Sequence, residues 1–225
     1  MSTNICSWRM GENIERDEKW SFRLFGINLR GIGRKPPIRR SECKNFLAYV
    51  TEDFKIVVYY IPRRQEYAMF SFHQAWISDI SISTDQNTLV AGSFDKSVSI
   101  WNLTEKSLKT HFQCKSFVSC VEVSSISGNI VAGCTDGNFY TYSNQGLIKT
   151  VSSIHKTYAI CVKMLEDDRI VSVGNDNFVV FWSSAMQKGR IEVWQQKKTI
   201  LSVKFLTKYY IIGFDDFNFR VFNLN

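Results

Sequence analysis

The chain has 225 residues, 44% hydrophobic and 22% charged, a balance that suits a globular protein with a sizeable core. Its net charge of +7 is uneven: residues 1–72 hold thirteen Lys/Arg against eight Asp/Glu, which describes one local basic stretch rather than a uniformly basic chain. No apolar run approaches the ~18 residues of a membrane-spanning helix, and Met1–Trp20 lacks the apolar centre of a secretory signal, so neither a membrane protein nor a secreted one is expected.

Residues 1–44 read as an N-terminal segment. Trp20–Asn28 has the composition of a single strand. Leu29–Lys44 reads as a basic loop carrying Arg30, Arg34, Lys35, Arg39, Arg40 and Lys44 with only Glu42 opposing, and its two prolines disfavour a strand.

From residue 45 to 225 the sequence repeats. Five segments align: LAYVTEDFKIVVYY, LVAGSFDKSVSIW, IVAGCTDGNFYTY, IVSVGNDNFVVFW and YIIGFDDFNFRVF. Each carries one acid at the same place, Asp53, Asp95, Asp136, Asp176 and Asp216, and an aromatic six residues later, Tyr59, Trp101, Tyr142, Trp182 and Phe222. The units end near residues 72, 113, 154, 196 and 225. Within the second, Leu89–Gly92 is an apolar strand and the stretch around Asp95 is a tight turn, where Asp is favoured because its carboxylate bonds nearby backbone. Ser97–Trp101 is an alternating return strand. Ile77–Ile82 and Ser107–Gln113 supply two more strands. Four short antiparallel strands every ~40 residues is the pattern of a propeller blade.

The second unit resembles the WD-repeat family. His73, then Ile77-Ser78-Asp79-Ile80-Ser81-Ile82, then the Gly-Ser-x-Asp turn and Trp101 follow that family's pattern, although Trp101-Asn102 and Trp182-Ser183 stand where Trp-Asp is usual. The resemblance covers about residues 45–225, and its motifs are degenerate outside the second unit. It implies an all-β fold, a β-propeller of WD-repeat type. The blades would be four-stranded and antiparallel, about five in number, with the ring either incomplete or closed in an unusual way. Trp20–Asn28 completes the last blade in one arrangement; in another it is the first strand of the first blade, and the last blade stays open. In a third, the chain is a shortened form of a larger propeller.

The resemblance also implies a structural hydrogen-bond network of His73, Ser93, Asp95 and Trp101. A partial copy would consist of His155, Asp176 and Trp182, with Gly174 in the serine's place. His73, Ser93 and Asp95 have the residue types of a hydrolase triad, but a triad is defined by geometry and role. No Gly-x-Ser-x-Gly turn is present to lift a serine above a sheet. No phosphate-cradling glycine loop or HExxH zinc motif occurs either. The six cysteines form no Cys-x-x-Cys pair and read as reduced, mostly buried thiols. No enzyme activity, cofactor, metal or small-molecule substrate is expected.

Partner contacts are expected in three places, the third being the strand edge of the last blade where that blade stays open. Trp76, three residues after His73, is matched by Phe117 and Tyr158 at 41-residue steps, and Phe94 precedes a turn acid. Aromatics on a rigid face serve as interaction hot spots, whereas packing between blades is the ordinary fate of such rings. The basic loop is the second place, suited to phosphates, to an acidic protein or to nothing beyond solvent. The resulting expectation is a protein–protein interaction scaffold in the cytoplasm or nucleus. Its alternative is an RNA-associated subunit of a ribonucleoprotein, in ribosome biogenesis or splicing.

Overall fold

The computed structural model describes residues 45–223 apart from 125, 144, 145, 147, 153, 166–168, 184–189 and 206–208; before residue 45 it describes only backbone strands at 6–7, 19–24, 27–32 and 40–42. In chain order these are β1 (Cys6–Ser7), β2 (Lys19–Leu24), β3 (Ile27–Ile32) and β4 (Arg40–Glu42). Blade 1 continues through β5 (Phe46–Val50), β6 (Lys55–Tyr60) and β7 (Gln65–Ser71). Blade 2 is β8 (Ile77–Ile82), β9 (Thr88–Ser93), β10 (Ser97–Asn102) and β11 (Ser107–Gln113). Blade 3 is β12 (Val118–Val123), β13 (Ile130–Cys134), β14 (Phe139–Tyr142) and β15 (Ile148–Val151). Blade 4 is β16 (Ala159–Met164), β17 (Arg169–Gly174), β18 (Phe178–Ser183) and β19 (Arg190–Gln195). Blade 5 is β20 (Ile200–Phe205), β21 (Tyr209–Phe214) and β22 (Phe219–Asn223).

All the pairings are antiparallel. Blades 1 to 4 are meanders of four strands. In blade 5 the order is β1-β20-β21-β22, so its fourth strand comes from the N-terminus and lies against β20, leaving no strand beside β22 among the described residues. The N-terminal expectations need correcting here. The single strand expected over 20–28 is a hairpin, β2 with β3, closed where Leu24 faces Ile27. The hairpin is a two-stranded sheet of its own rather than the closing strand of a blade. The stretch 29–44 is not loop throughout: Arg30 lies in β3, and Arg40 begins β4, the first strand of blade 1, paired with β5. Arg34, Lys35, Arg39 and Lys44 lie outside the described residues.

Alternate residues of each strand point to opposite faces, and both faces of a blade are apolar. Four clusters of buried side chains result, one at each junction. Ala48, Ile56 and Val58 of blade 1 meet Ile80, Leu89 and Trp101 of blade 2. Val90, Val98 and Ile100 meet Val121 and Ala132. Val131 and Phe139 meet Val162 and Trp182. Val171, Val173, Val179 and Phe181 meet Ile200, Tyr210 and Ile212. Gly92 is required at such a junction, because a Cβ there would lie 2.5 Å from a methyl of Val118.

The first strands of successive blades face one another, and polar bonds hold them in step. The Ser78 hydroxyl donates to the Val118 carbonyl at 2.7 Å, and Val121 N–H donates to the Asp79 carboxylate at 3.0 Å. Farther along, Ser81 donates to Glu122 at 3.3 Å, and Glu122 is ion-paired with Lys163 of blade 4. Burial would push the Lys163 ammonium down, but the facing Glu122 charge outweighs it and raises it above the ordinary lysine range. A buried carboxylate between three blades is thereby compensated on both sides.

Candidate functional site

Each blade reverses direction after its second strand through the same turn. The residue following the turn acid is left-handed in all five: Phe54 (φ 61°), Lys96 (69°), Gly137 (76°), Asn177 (65°) and Phe217 (62°). The acid carboxylate anchors the turn. Asp53 accepts from the Thr51 hydroxyl at 2.6 Å and pairs with Lys55. Asp136 and Asp216 accept from the backbone N–H and side-chain amide of Asn138 and Asn218, and Asp216 also pairs with Lys198. Glycine and asparagine tolerate the left-handed region; a bulky ring there costs roughly 1–2 kcal/mol. Phe54 and Phe217 are therefore not explained by the turn itself.

In blade 2 the turn acid also fixes the buried His73. The His73 Nδ1–H donates to Asp95 at 2.9 Å, the Ser99 hydroxyl donates to Nε2 at 2.8 Å, and Trp101 Nε1–H donates to the Ser99 oxygen at 2.9 Å. These roles follow from a neutral imidazole beside an ionised Asp95, whose carboxylate can only accept, so that Nδ1 carries the proton. Burial pushes the His73 pKa below its ordinary value, against the pull of Asp95. Burial pushes the Asp95 carboxyl up, but its bond from Ser97, the imidazole beside it and the Ser97 N–H outweigh that and hold it below the usual carboxylate range.

The hydroxyl in this chain is Ser99, not Ser93. Ser93 donates instead to the Ala75 carbonyl at 3.1 Å and accepts from Asp95 N–H. Blade 4 repeats the arrangement in full: His155 bonds Asp176 at 3.0 Å and Ser172 at 2.8 Å, and Trp182 Nε1–H donates to Ser172 at 3.0 Å. The network is thus not partial, and Gly174 is not where its serine would stand. A Cβ at Gly174 would lie 2.4 Å from His155 Nδ1. Ser99 faces Ala91 across β9–β10, and Ser172 faces Val180 across β17–β18. The hydroxyl reaches the same point from the third strand in blade 2 and from the second strand in blade 4. These histidines and serines are buried, so the set ties strands together and gives no substrate a path to a nucleophile.

The lead-in to each first strand is held from behind. The carbonyls of Trp76, Phe117, Tyr158 and Thr199 accept from the N–H groups of Phe94, Thr135, Asn175 and Asp215, at 2.9, 2.9, 3.0 and 3.1 Å. Fixed in this way, Trp76 is 48% exposed and Phe117 46% exposed. Tyr158 is half-buried against the blade 4–5 cluster. Phe54 of blade 1 rests on Trp76 of blade 2, ring centres 6.0 Å apart, and Phe94 of blade 2 rests on Phe117 of blade 3 at 5.7 Å. Lys96 Nζ lies 5.4 Å over the Phe117 ring. The result is a partly exposed aromatic strip across three blades. Phe54 belongs to it although its place in the repeat points only to a turn; the lone signal in the sequence is a bulky ring where glycine or asparagine stands in other units.

Among the described residues no group of His, Cys, Asp and Glu is arranged to hold a metal. Among the described residues no helix is long and apolar enough to cross a membrane. Cys114, Cys120, Cys134 and Cys161 are buried thiols, none of them in a disulfide.

The sequence pattern of the WD domain, G-beta repeat, matches residues 64–102. The chain is 31% identical to Protein SUPPRESSOR OF PHYA-105 1 of Arabidopsis thaliana, over 64% of this chain and 14% of that protein. It is 27% identical to the E3 ubiquitin-protein ligase COP1 of Pisum sativum, over 62% of this chain and 21% of the ligase. It is 30% identical to the Ribosome biogenesis protein WDR12 homolog of Aedes aegypti, over 61% of this chain and 34% of that protein. The aligned region is thus a minor part of each relative's length. The β-propeller domain of Myceliophteria thermophila Cps50 (Swd1) superposes with a TM-score of 0.71 at 12% identity, covering 80% of this chain and 61% of that domain.

Proposed function

The chain is a WD-repeat β-propeller protein, and from that premise we propose that it is a non-catalytic platform whose aromatic strip, Phe54, Trp76, Phe94 and Phe117 with Tyr158 at its margin, receives a protein partner. The observation that carries this reading is the exposure of Trp76 and Phe117 on backbone fixed by the hydrogen bonds of their own blades. Rings held this way lose little freedom on binding, and large partly exposed rings contribute most at interfaces. The polar network beneath them is spent on holding strands, which speaks for binding rather than catalysis. Work in the cytoplasm or nucleus is part of the same reading.

The test is a pull-down from the protein's own cells with the full chain, wild type against the combined Trp76→Ala, Phe94→Ala and Phe117→Ala variant. Loss of a defined partner set with an unchanged melting curve is expected. An unchanged partner set, or a variant that fails to fold, sinks the reading. The likeness to a ribosome biogenesis protein favours a second reading, an RNA-associated subunit using the basic stretch. It requires RNA in the same pull-down. That RNA must be salt-sensitive and lost when Arg30, Arg34, Lys35, Arg39, Arg40 and Lys44 are neutralised.

A further inference from the structure

Blade 3 buries two thiols where blade 4 buries an imidazole beside a glycine. Cys114 and Cys134 belong to one cluster, that of the junction between blades 2 and 3. Cys134 pairs with Val118 at the start of β12, as Gly174 pairs with Ala159 at the start of β16. The lead-in residue beside that position is Cys114 in blade 3 and His155 in blade 4, each donating its N–H to a carbonyl of the preceding blade, Lys96 or Gly137. In blade 4 the two positions converge: a Cβ at Gly174 would lie 2.6 Å from His155 Cγ. Cysteine carries Sγ on its Cβ where histidine carries Cγ. In blade 3, then, one sulfur is aimed at a position whose own Cβ bears a second sulfur. That is the placement a disulfide needs, with its Cβ atoms ~3.8 Å apart. The two thiols are already in hydrogen-bond contact. The backbone on both sides is fixed in this arrangement. Lys115 N–H donates to the Tyr140 hydroxyl at 2.9 Å, and Cys134 N–H donates to the Asn138 carbonyl at 2.9 Å.

We infer that Cys114 and Cys134 form a reversible disulfide with a small disulfide oxidant of the glutathione type, giving blade 3 a covalent tie between lead-in and turn where blade 2 has the bond of His73 to Asp95. This goes beyond the proposed function and needs no partner on the aromatic strip. Cys114 is 5% exposed and Cys134 0%, so Cys114 meets the oxidant first. Its thiolate attacks one sulfur of the oxidant, the oxidant's S–S bond breaks, and one small thiol leaves with the Cys114 proton. The Cys134 thiolate then attacks the Cys114 sulfur of this mixed disulfide, and the second small thiol leaves with the Cys134 proton. Two cysteines are oxidised and one disulfide is reduced to two thiols. The hydrogen bond with Cys114 and burial hold the Cys134 thiol well above the ordinary thiol range. Joining Cys114 to the oxidant removes the first of these causes; burial remains and makes closure slow. Cys120 packs in the junction on the opposite face of blade 3 and Cys161 in that between blades 4 and 5, so neither shares the Cys114 cluster. The link closes a loop between residues 20 positions apart, which restricts the unfolded chain and favours the folded one.

The experiment holds the folded full chain in a buffer of oxidised and reduced glutathione at pH 8 until its thiol content is constant. Trypsin and mass spectrometry then follow without reduction. Cleavage after Lys109, Lys115 and Lys149 places Cys114 alone on the peptide 110–115 and both Cys120 and Cys134 on the peptide 116–149. The expected product is these two peptides joined with the loss of two hydrogens, fragment ions from between residues 120 and 134 placing the link on Cys134. The urea midpoint should rise, with the folded-to-unfolded ratio up roughly a hundredfold, and should return to its starting value when dithiothreitol is added. Cys134→Ser should abolish both the link and the rise, while Cys120→Ala keeps the link. A chain that ends with both thiols free, a lasting glutathione adduct on Cys114 without the link, or a link to Cys120 overturns the inference. So does a link that lowers the midpoint, since the tie would then strain the blade it is said to hold. The wild-type chain alone decides among these outcomes, and none depends on the pull-down.

Discussion

Blades 2 and 4 close around a buried imidazole, whereas blade 3 closes around thiols and rings. Cys114 occupies the place of His73 and His155, as its backbone N–H bond to the Lys96 carbonyl shows alongside that of His155 to Gly137. Its thiol bonds that of Cys134, which this contact and burial raise well above the ordinary thiol range. Where Trp101 and Trp182 donate to a serine, Tyr142 stacks on Phe112, ring centres 5.7 Å apart and planes 3° from parallel. The two kinds of blade share strands, turns and spacing, so the fold does not require the polar chain. What the chain adds is direction. Three hydrogen bonds in series fix the lead-in, the turn and the third strand relative to one another, while apolar contacts tolerate small displacements.

The comparison is most severely tested at the closing aromatic. Trp182 is fully buried and Tyr142 only partly. Trp182→Ala should cost about 3–5 kcal/mol and Tyr142→Ala roughly 1–2 kcal/mol, read as the shift in urea denaturation midpoint. Equal losses would mean that the two blade types are held alike. A smaller effect sharpens the point. Ser99→Ala leaves His73 Nε2 and Trp101 Nε1 without their shared partner and should cost about 1–3 kcal/mol. Adding Ala91→Ser, directly across the strands, should recover more than half of that loss, because blade 4 already places its hydroxyl on that strand. A double variant no more stable than the single one would show that the two positions are not interchangeable.

The smallest effect is in the pH dependence. The folded protein keeps His73 neutral, with its pKa below the ordinary 6.5. As pH falls through about 6.5 the unfolded chain takes up a proton that the folded chain does not, so stability falls by up to ~1.4 kcal/mol per pH unit. Above that window the contribution is fully present. Asp95, held low, adds its own loss only as pH falls below about 3.8. His73→Cys, which gives blade 2 the residue of blade 3, should flatten the slope between pH ~7 and ~5 in denaturation curves. A slope identical to wild type would place the titration elsewhere.

The repeat was legible because turn acids and closing aromatics recur with little drift in spacing, and those positions are fixed by backbone geometry. The hydroxyl of the network was not. A hydrogen bond needs an oxygen at a point in space, and that point can be reached from Ser99 or from Ser172, on different strands. Alignment by repeat therefore sets Ser99 against Val180 and hides the equivalence. The aromatic positions Trp76, Phe94 and Phe117 stood out in sequence, but their exposure did not, since the same residue types also serve at junctions such as Phe139 and Phe181. Before residue 45 no repeat guides the reading, and the composition of Trp20–Asn28 does not separate one strand from a hairpin.

The repetition of one junction through the stack has a meaning for how such a chain changes in length. Every junction is built from the same apolar set on one side and its complement on the other, and each blade meets only its neighbours. Gaining or losing one ~40-residue unit leaves every other junction as it was. Duplication of a single unit can thus extend the stack without redesign of its core, because a copied unit brings a face that fits the one its neighbour already presents.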